Sequence, residues 1–499
     1  MPMSQKEARQ PNLIQALIPI VVLIVLLVLN VVHFGEHTLD GANQFALILA
    51  AAVAGLVAVF LKVKWNDVQS SIVKSIGSAM PSILILLMIG ALAGTWMLNG
   101  VVPALIYYGL KVFHPKIFLF ATVIIAGMVS LATGSSWSTV ATIGIALIGV
   151  GQALGIHAGL VAGAVISGAY FGDKMSPLSD TTNLAPAMAG TDLFTHIRYM
   201  MITTVPAMSI TLVIFLVIGF TYKFDAAPGD IEQILEAIDS KFRITPWLML
   251  VPAFLLYIII MKIPPLPSLL AGSLLGGIFA IIFQPHLVRE IALGIDPDTI
   301  TLFKASYLSV MQAIFGDISI TTSNEMVNGL LATDGMRGML NTIWLILAAM
   351  VFGGTMESAG LLVKITGTVI RWAQNTGSLV LTTIATSVFF NITASDQYIA
   401  IVVPGRMFAD SYKKRGLKPE VLSRTLEDGG TLTSVLVPWN TCGATQSRVL
   451  GVPTIHYLPY AFFNMLSPLF SILFAYINYR IRRYGDDEPA PKPTDNSVI

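Results

Sequence analysis

Ser167 to Met200 reads SGAYFGDKMSPLSDTTNLAPAMAGTDLFTHIRYM, and the reading of this stretch decides the fold. It follows a purely apolar run and precedes another, which places it at membrane depth. Yet it carries Asp173, Lys174, Asp180 and Asp192, two prolines and a cluster of Ser, Thr and Asn. Charge inside a bilayer costs several kcal/mol unless it faces protein or water, so it marks an ion or substrate pathway. Non-helical backbone survives there only when buried in protein or lining a cavity. A polar, proline-broken segment between two lipid-grade helices therefore reads as a site.

The composition surrounding it agrees. Of 499 residues, 55% are hydrophobic and 11% charged, against about 25% charged in a soluble domain. Several apolar runs reach the roughly 20 residues that cross a bilayer. The chain is read as an all-α polytopic membrane protein. A net charge of +1, with no basic block interleaved with aromatics, excludes a nucleic-acid partner. One cysteine, Cys442, excludes an internal disulfide. The first apolar run, Leu13 to Phe34, is too long for a signal sequence core and reads as a retained span. The tail beyond Tyr484 is acidic and proline-rich, a composition that stays disordered.

A constant offset of 260 aligns Gly94-Thr95 with Gly354-Thr355, Gly100 with Gly360, Thr133 with Thr393 and Ser135 with Ser395. It also aligns Asp180-Thr181 with Asn440-Thr441 and His196 with His456. These identities fall at the breaks between apolar runs, which argues for a duplication. Basic residues in short loops give the orientation. Lys6, Arg9, Lys62, Lys64 and Lys74 place the N-terminus inside, and the loop with Arg406, Lys413, Lys414, Arg415, Lys418 and Arg424 also falls inside. The counterpart of that loop, 149–157, has no Lys or Arg and falls outside, so the halves are inverted. The expected layout is a cytoplasmic tail (1–12), a first transmembrane repeat (13–222), an extracytoplasmic connector (223–245), a second repeat (246–480) and a disordered cytoplasmic tail (481–499). About ten crossings plus two re-entrant hairpins result. Inverted repeats with broken helices are the signature of secondary transporters.

Four groups of residues carry the chemistry. The tip Thr133-Gly134-Ser135-Ser136-Trp137-Ser138-Thr139 has five hydroxyls in seven residues, hard oxygen ligands suited to Na⁺. The alternative is a tight turn packing small residues. The second tip, Asn391 to Tyr398, offers Thr393, Ser395 and Asp396. There desolvation disfavours the charged carboxylate and makes protonation competitive with cation binding; the alternative is an Asp that merely caps the hairpin. Asp180-Thr181-Thr182-Asn183 follows Pro177, and Asn440-Thr441 follows Pro438, each at a helix broken by proline. An Asp in one half and an Asn in the other give an asymmetric site with one titratable group. Asp173, Lys174 and Glu357 complete the set as proton or charge-coupling candidates, each also readable as a helix end at the interface. Adjacent helical side chains point about 100° apart, so Asp173 and Lys174 need not pair with each other. Asp192, His196 and Arg198 read as an interfacial cluster.

The run Gly172-Asp173-Lys174-Met175-Ser176-Pro177-Leu178-Ser179-Asp180-Thr181-Thr182-Asn183-Leu184-Ala185-Pro186 resembles the NhaC-type Na⁺/H⁺ antiporter family. So do Gly94-Thr95-Trp96-Met97 through Val102-Pro103, the first tip, Ser395-Asp396-Gln397-Tyr398, and Pro438-Trp439-Asn440-Thr441-Cys442-Gly443. The likeness spans roughly residues 13 to 480, and is weaker in the connector and in 284–338. It implies exchange of Na⁺ for H⁺ by a scaffold and a hairpin-bearing transport domain. Some members exchange organic acids such as malate and lactate together with Na⁺ and H⁺. The resemblance carries no role over to any single residue.

The leading expectation is an antiporter of the cytoplasmic membrane exporting Na⁺ against H⁺, both termini cytoplasmic. Its site is Asp180, Asp396, Asn440 and Thr441, with Ser135, Ser136, Thr393, Ser395, Thr181 and Asn183. The runner-up is a Na⁺-coupled organic-acid or amino-acid exchanger on the same scaffold, with Lys174 or Arg448 meeting the substrate carboxylate. No cofactor is expected beyond the transported ions. Partners are Na⁺, H⁺, the lipid bilayer and, under the runner-up, a small organic acid; homo-oligomerisation stays open. An enzyme is disfavoured by the lack of a His-Glu-x-x-His or phosphate-loop motif.

Overall fold

Proline, glycine and short hydroxyl residues set where the helices stop, and the same stops recur in both halves. The computed structural model describes residues 9–34, 38, 40–222, 228–298, 301–322, 324–369 and 374–485; most of the N-terminal tail and most of the expected C-terminal tail lie outside them. The first half contains α1 (Leu13–Phe34), α2 (Ala42–Phe60), α3 (Trp65–Leu98), α4 (Val101–Val112) and α5 (Pro115–Thr133). It continues with α6 (Ser136–Ala153), α7 (Ala158–Met175), α8 (Asp180–Ala189) and α9 (Leu193–Thr221). The second half opens with α10 (Pro228–Lys241), α11 (Pro246–Ile260), α12 (Pro265–Phe283), α13 (Pro285–Ile295), α14 (Leu302–Phe315) and α15 (Glu325–Leu330). Then follow α16 (Arg337–Ser358), α17 (Leu361–Val369), α18 (Thr376–Thr393), α19 (Gln397–Lys414), α20 (419–434), α21 (Thr441–Leu450), α22 (Thr454–Tyr460) and α23 (Phe462–Tyr476). Among the described residues, nine helices are long and apolar enough to cross a membrane, or eleven when two bent pairs count as a span each. The one departure from an all-α fold is a two-stranded hairpin, β1 (Ile318–Ser319) against β2 (Ala332–Thr333).

The connector, expected as a soluble segment, contains helix α10. Ile234, Ala237 and Ile238 are buried at helical spacing, and α10 packs on α4 and α15 before the chain bends by 87° into α11.

The duplication is visible element by element, with one correction to its register. Gly100 and Gly360 both adopt positive φ after α3 and α16, at the offset of 260. From the hairpins onward the structural offset is 261. Gly134 and Ser395 take the left-handed turn, at φ 70° and 59°. Ser135 Oγ accepts from Ser138 N, and Asp396 Oδ1 accepts from Ile399 N. Gly190 and Gly451 end α8 and α21 in the same left-handed conformation. The structural counterpart of Asn440 is thus Ser179, and that of Thr441 is Asp180. The sequence register of 260 is off by one here, because a residue is added between α17 and α18 that identities at the breaks cannot locate.

Contacts between the halves are reciprocal. α8 packs on α19 while α21 packs on α6; α9 packs on α20 while α7 packs on α23. Two copies that exchange equivalent contacts in this way are related by a twofold.

Close backbone approach positions the site. Helices α5 and α7 cross where Gly127, Gly168 and Gly172 let carbonyls come near. A Cβ on Gly168 would lie 2.3 Å from Val123 O, and one on Gly172 would lie 2.4 Å from Gly127 O and 2.5 Å from Leu131 N. These neighbours are backbone and cannot swing aside. Gly172→Ala should therefore cost about 1–3 kcal/mol by overpacking. Thermal unfolding of the detergent-purified protein checks this, and a melting temperature equal to the parent's would sink it.

Candidate cation site

The left-handed turn at Gly134 stops α5, and Ser135 restarts the chain as the N-cap of α6, with Oγ 3.2 Å from Ser138 N. That restart aims Ser136 at α7. Asp173 Oδ2 accepts from Ser136 N at 3.1 Å and from Ser136 Oγ at 2.6 Å. Asp173 is buried, so this carboxylate meets two donors at a helix N-terminus, where partial positive charge favours an anion. Its neighbour Lys174 turns the other way, as the helical geometry allows.

A cavity of about 710 Å³ opens onto this carboxylate. Its polar wall includes Asp173, Asp180, Thr133, Ser135, Ser138 and Thr181 from the first half, with Gln397, Tyr398 and Thr441 from the second. Lys262 and Pro264, in the loop between α11 and α12, line its mouth together with Ser78 and Pro81 of α3. Of the first-half residues singled out above, Ser135, Asp173, Asp180 and Thr181 thus meet around one space, whereas Ser136, Lys174 and Asn183 do not line it.

The second tip is knitted together rather than opened. Asp396 is buried and caps α19 through Ile399 N at 2.9 Å, the same job Ser135 performs for α6. Asn440 Nδ2 donates to the carbonyl and the side-chain oxygen of Asn391, at 3.1 Å each, and Thr441 N donates to Ser395 O at 3.0 Å. Thr393 Oγ1 donates back to Phe389 O. Trp439 Nε1 donates to Ile392 O as Ser176 Oγ donates to Leu131 O, equivalent carbonyls of the two tips. Asn183 Nδ2 binds Pro177 O and Ser179 O, tightening the start of α8. Glu357 is exposed at the end of α16 and does not line the cavity.

Behind the cavity lies a charged group of which the sequence marked only Lys174 as a candidate. Lys174 has no exposed surface and pairs with the equally buried Asp428. Ser467 Oγ, Ser471 Oγ and Thr203 Oγ1 donate to the same carboxylate, at 2.7, 2.6 and 3.3 Å. Thr181 Oγ1 donates to Glu427 Oε1 at 3.0 Å. Arg424 is wholly buried over the ring of Tyr199, with 4.4 Å from Cζ to the centroid. Arg424, counted above with the inner-loop charges, lies instead wholly buried within α20. His196 is likewise buried, its Nδ1 2.7 Å from Ser423 Oγ, whereas Asp192 caps α9 through Thr195 N. The overlooked signal was Arg424, Glu427 and Asp428 inside a membrane-depth segment, the same criterion that singled out Ser167–Met200.

The profile of the Na⁺/H⁺ antiporter family matches residues 3–169 and 168–479. The chain belongs to the Na⁺/H⁺ antiporter family. A relative named malate-2H⁺/Na⁺-lactate antiporter, from Bacillus subtilis, is 38% identical over 94% of this chain and 96% of its own length. The Na⁺/H⁺ antiporter NhaC of Alkalihalophilus pseudofirmus is 37% identical over 86% of this chain and 89% of its own. An arginine/ornithine antiporter of Halobacterium salinarum is 31% identical over 98% and 97%. The chain is a multi-pass membrane transporter of this family, and Lys174 to Asp428 is the link between the two halves of its candidate site.

Removing one member of a buried pair leaves an uncompensated charge, at about 3–5 kcal/mol. Lys174→Met should lower stability by that order, and Lys174→Met combined with Asp428→Leu should recover most of the loss. Thermal melts of the single and double variants decide it; a double variant no more stable than the single would count against the pair.

Proposed function

We propose that the protein exchanges Na⁺ for H⁺ across the cytoplasmic membrane by alternating access, with Asp173 holding either ion. The observation that carries this reading is the Asp173 carboxylate, clamped by Ser136 on a cavity wall rich in hydroxyl oxygens. Na⁺ is a hard cation that takes carboxylate, hydroxyl and carbonyl oxygens, and Thr133, Ser135, Ser138, Thr181 and Thr441 line the same cavity as the carboxylate with such groups. A proton on Asp173 removes the charge that the cation needs, so the two ions exclude each other. That exclusion is the coupling. Asp180 is more exposed and lies on the same wall, suited to drawing cations in.

Loops rich in Lys and Arg put the mouth at Lys262 on the cytoplasmic side, together with both termini. On that orientation a separate cavity of about 280 Å³, lined by Gln152, Asp334 and Arg448, belongs to the outer face. The arrangement is then an inward-open one. Passage to an outward-open state would use the pseudo-symmetry of the two halves, each with a broken hairpin.

An organic-acid exchanger is the second reading, supported by the malate and lactate in one relative's name and by Arg448. Its guanidinium holds Asp334 at 2.7 Å on the wall of the outer cavity, where a substrate carboxylate could take the place of Asp334.

In proteoliposomes with an internal pH dye, Na⁺ should drive a pH change in the parent protein, and Asp173→Asn should reduce it to background. Ser136→Ala, which removes one hydrogen bond to a charged group, should raise the half-saturating Na⁺ concentration by about tenfold. Full exchange in the Asp173→Asn variant would overturn the assignment. Uptake of labelled malate or lactate, driven by Na⁺ and lost in Arg448→Gln, would favour the second reading.

A further inference from the structure

Two cavities flank the candidate site, and each is lined by opposite charges drawn from different parts of the fold. One group of helices gathers on α3, which packs on α12, α14 and α16, while α11 packs on α12. A second group joins α5 to α7 and α9, and α8, α18 and α20 to α19. The outer cavity sets Arg448, near the end of α21, against Asp334, in the turn between β2 and α16. The inner cavity sets Asp180, the first residue of α8, against Lys262, in the loop between α11 and α12. Asp334 and Lys262 thus belong to the α3 group. Their opposites stand on α21 and α8, equivalent helices of the two repeats that each end in a left-handed glycine.

The turn holding Asp334 is pinned to α3. Met336 N donates to Ile314 O at 3.0 Å, and a Cβ on Gly90 would lie 2.5 Å from Gly335 O. Across the outer cavity the pair is made, with Arg448 Nη2 2.7 Å from Asp334 Oδ2. Across the inner cavity it is not. Asp180 and Lys262 are both exposed, and neither forms an ion pair among the described residues. Lys262 is the one cation among the residues lining that cavity, and the remaining carboxylate there, Asp173, is held by Ser136. An ammonium at the mouth of a cation route repels the cations that enter. Its place there makes sense if another arrangement of the helices gives it a carboxylate to close upon.

Resting on the alternating-access reading above, we infer that the two faces carry complementary ionic gates. Arg448 with Asp334 closes the outer route in the inward-open form, and Lys262 with Asp180 closes the inner route in the outward-open form. The signs are exchanged between the faces: the α3 group supplies the carboxylate outside and the ammonium inside. Each pair is partly exposed, so each is held weakly enough to break in every cycle. Neither gate residue touches the ion. Their role is to position the helices that carry the site.

The test reads conformation in the full chain, in vesicles of defined orientation. Ile145, on the wall of the outer cavity, is changed to Cys and labelled from outside with a membrane-impermeant maleimide; the parent chain, whose Cys442 is buried, supplies the background. Asp334→Asn should speed labelling by about two- to fivefold, the shift expected on losing an exposed ion pair, and Lys262→Gln should slow it by a similar factor. A rate unchanged in either background overturns the inference. The inner contact is read directly by oxidising the Asp180→Cys/Lys262→Cys variant, which should form a disulfide, and form it faster when Asp334→Asn is added. No disulfide, or one formed at the same rate with and without Asp334→Asn, also overturns it. Should the Asp180→Cys/Lys262→Cys variant fail to fold, Lys262→Glu decides: it faces Asp180 with a like charge and should slow the labelling of Ile145→Cys more than Lys262→Gln does. Labelling as fast as the parent's there overturns the gates. None of these readouts needs a transported ion, so their failure is distinguishable from failure of the Na⁺/H⁺ reading, which Na⁺-driven pH change in the parent reports.

Discussion

An ammonium group with no exposed surface must be neutralised where it stands, and in this protein the partner comes from the other half of the chain. Lys174 ends α7, Asp428 lies within α20, and these helices are equivalent elements of the two repeats. The pair ties the repeats together next to the site. Three hydroxyls from α9 and α23 complete the coordination of Asp428, so four helices depend on one carboxylate. A pair so enclosed contributes less to net stability than to geometry, since desolvation offsets much of its attraction. What it secures is position. Lys174 faces Asp428, and therefore Asp173, one residue earlier, faces Ser136 and the cavity.

The two halves have diverged around a shared frame. Each breaks a helix after an apolar hairpin, turns through a left-handed residue and caps the restart with a side-chain oxygen. In the first half the restart leaves Ser136 free to hold a carboxylate. In the second, the equivalent position is Gln397, whose Oε1 accepts from Cys442 Sγ at 3.0 Å, and the surrounding amides bind each other. One half is opened around charge while the other is closed by neutral hydrogen bonds. On the proposed reading, the first half supplies the carboxylate for the ion and the second half closes the frame around it.

Much of this was legible beforehand. Charge within an apolar context singled out Asp173, Lys174 and Asp180, and clustered hydroxyls singled out the first tip, because both are expensive in a membrane unless they have a use. The repeat was legible too, through glycines and hydroxyl residues at the breaks. Legibility failed where a rule of thumb was applied to the wrong neighbours. Arg424 sits near several loop Lys and Arg residues, so a count of loop charge absorbed it; Glu427 and Asp428 follow it within one turn in the same helix, and no motif or repeat identity marks them. The register slipped by one because a single added residue leaves the periodicity of the flanking helices unchanged. Asp396 could be read as an ion ligand or as a cap on its hairpin, and its bond to Ile399 N shows that it caps.

The amino-acid sequence by itself determined that this is a polytopic helical membrane protein with two related halves, because bilayer crossing, helix breaking and the cost of buried charge are local properties of the chain. It also determined which short segments carry the unusual groups. Only the tertiary structure decided which groups meet. Ser136 reaches Asp173 across 37 residues, and Lys174 reaches Asp428 across 254. Both contacts depend on helix crossings set by glycine-to-backbone approach and by the register between halves, and neither quantity is encoded in the periodicity of any one helix.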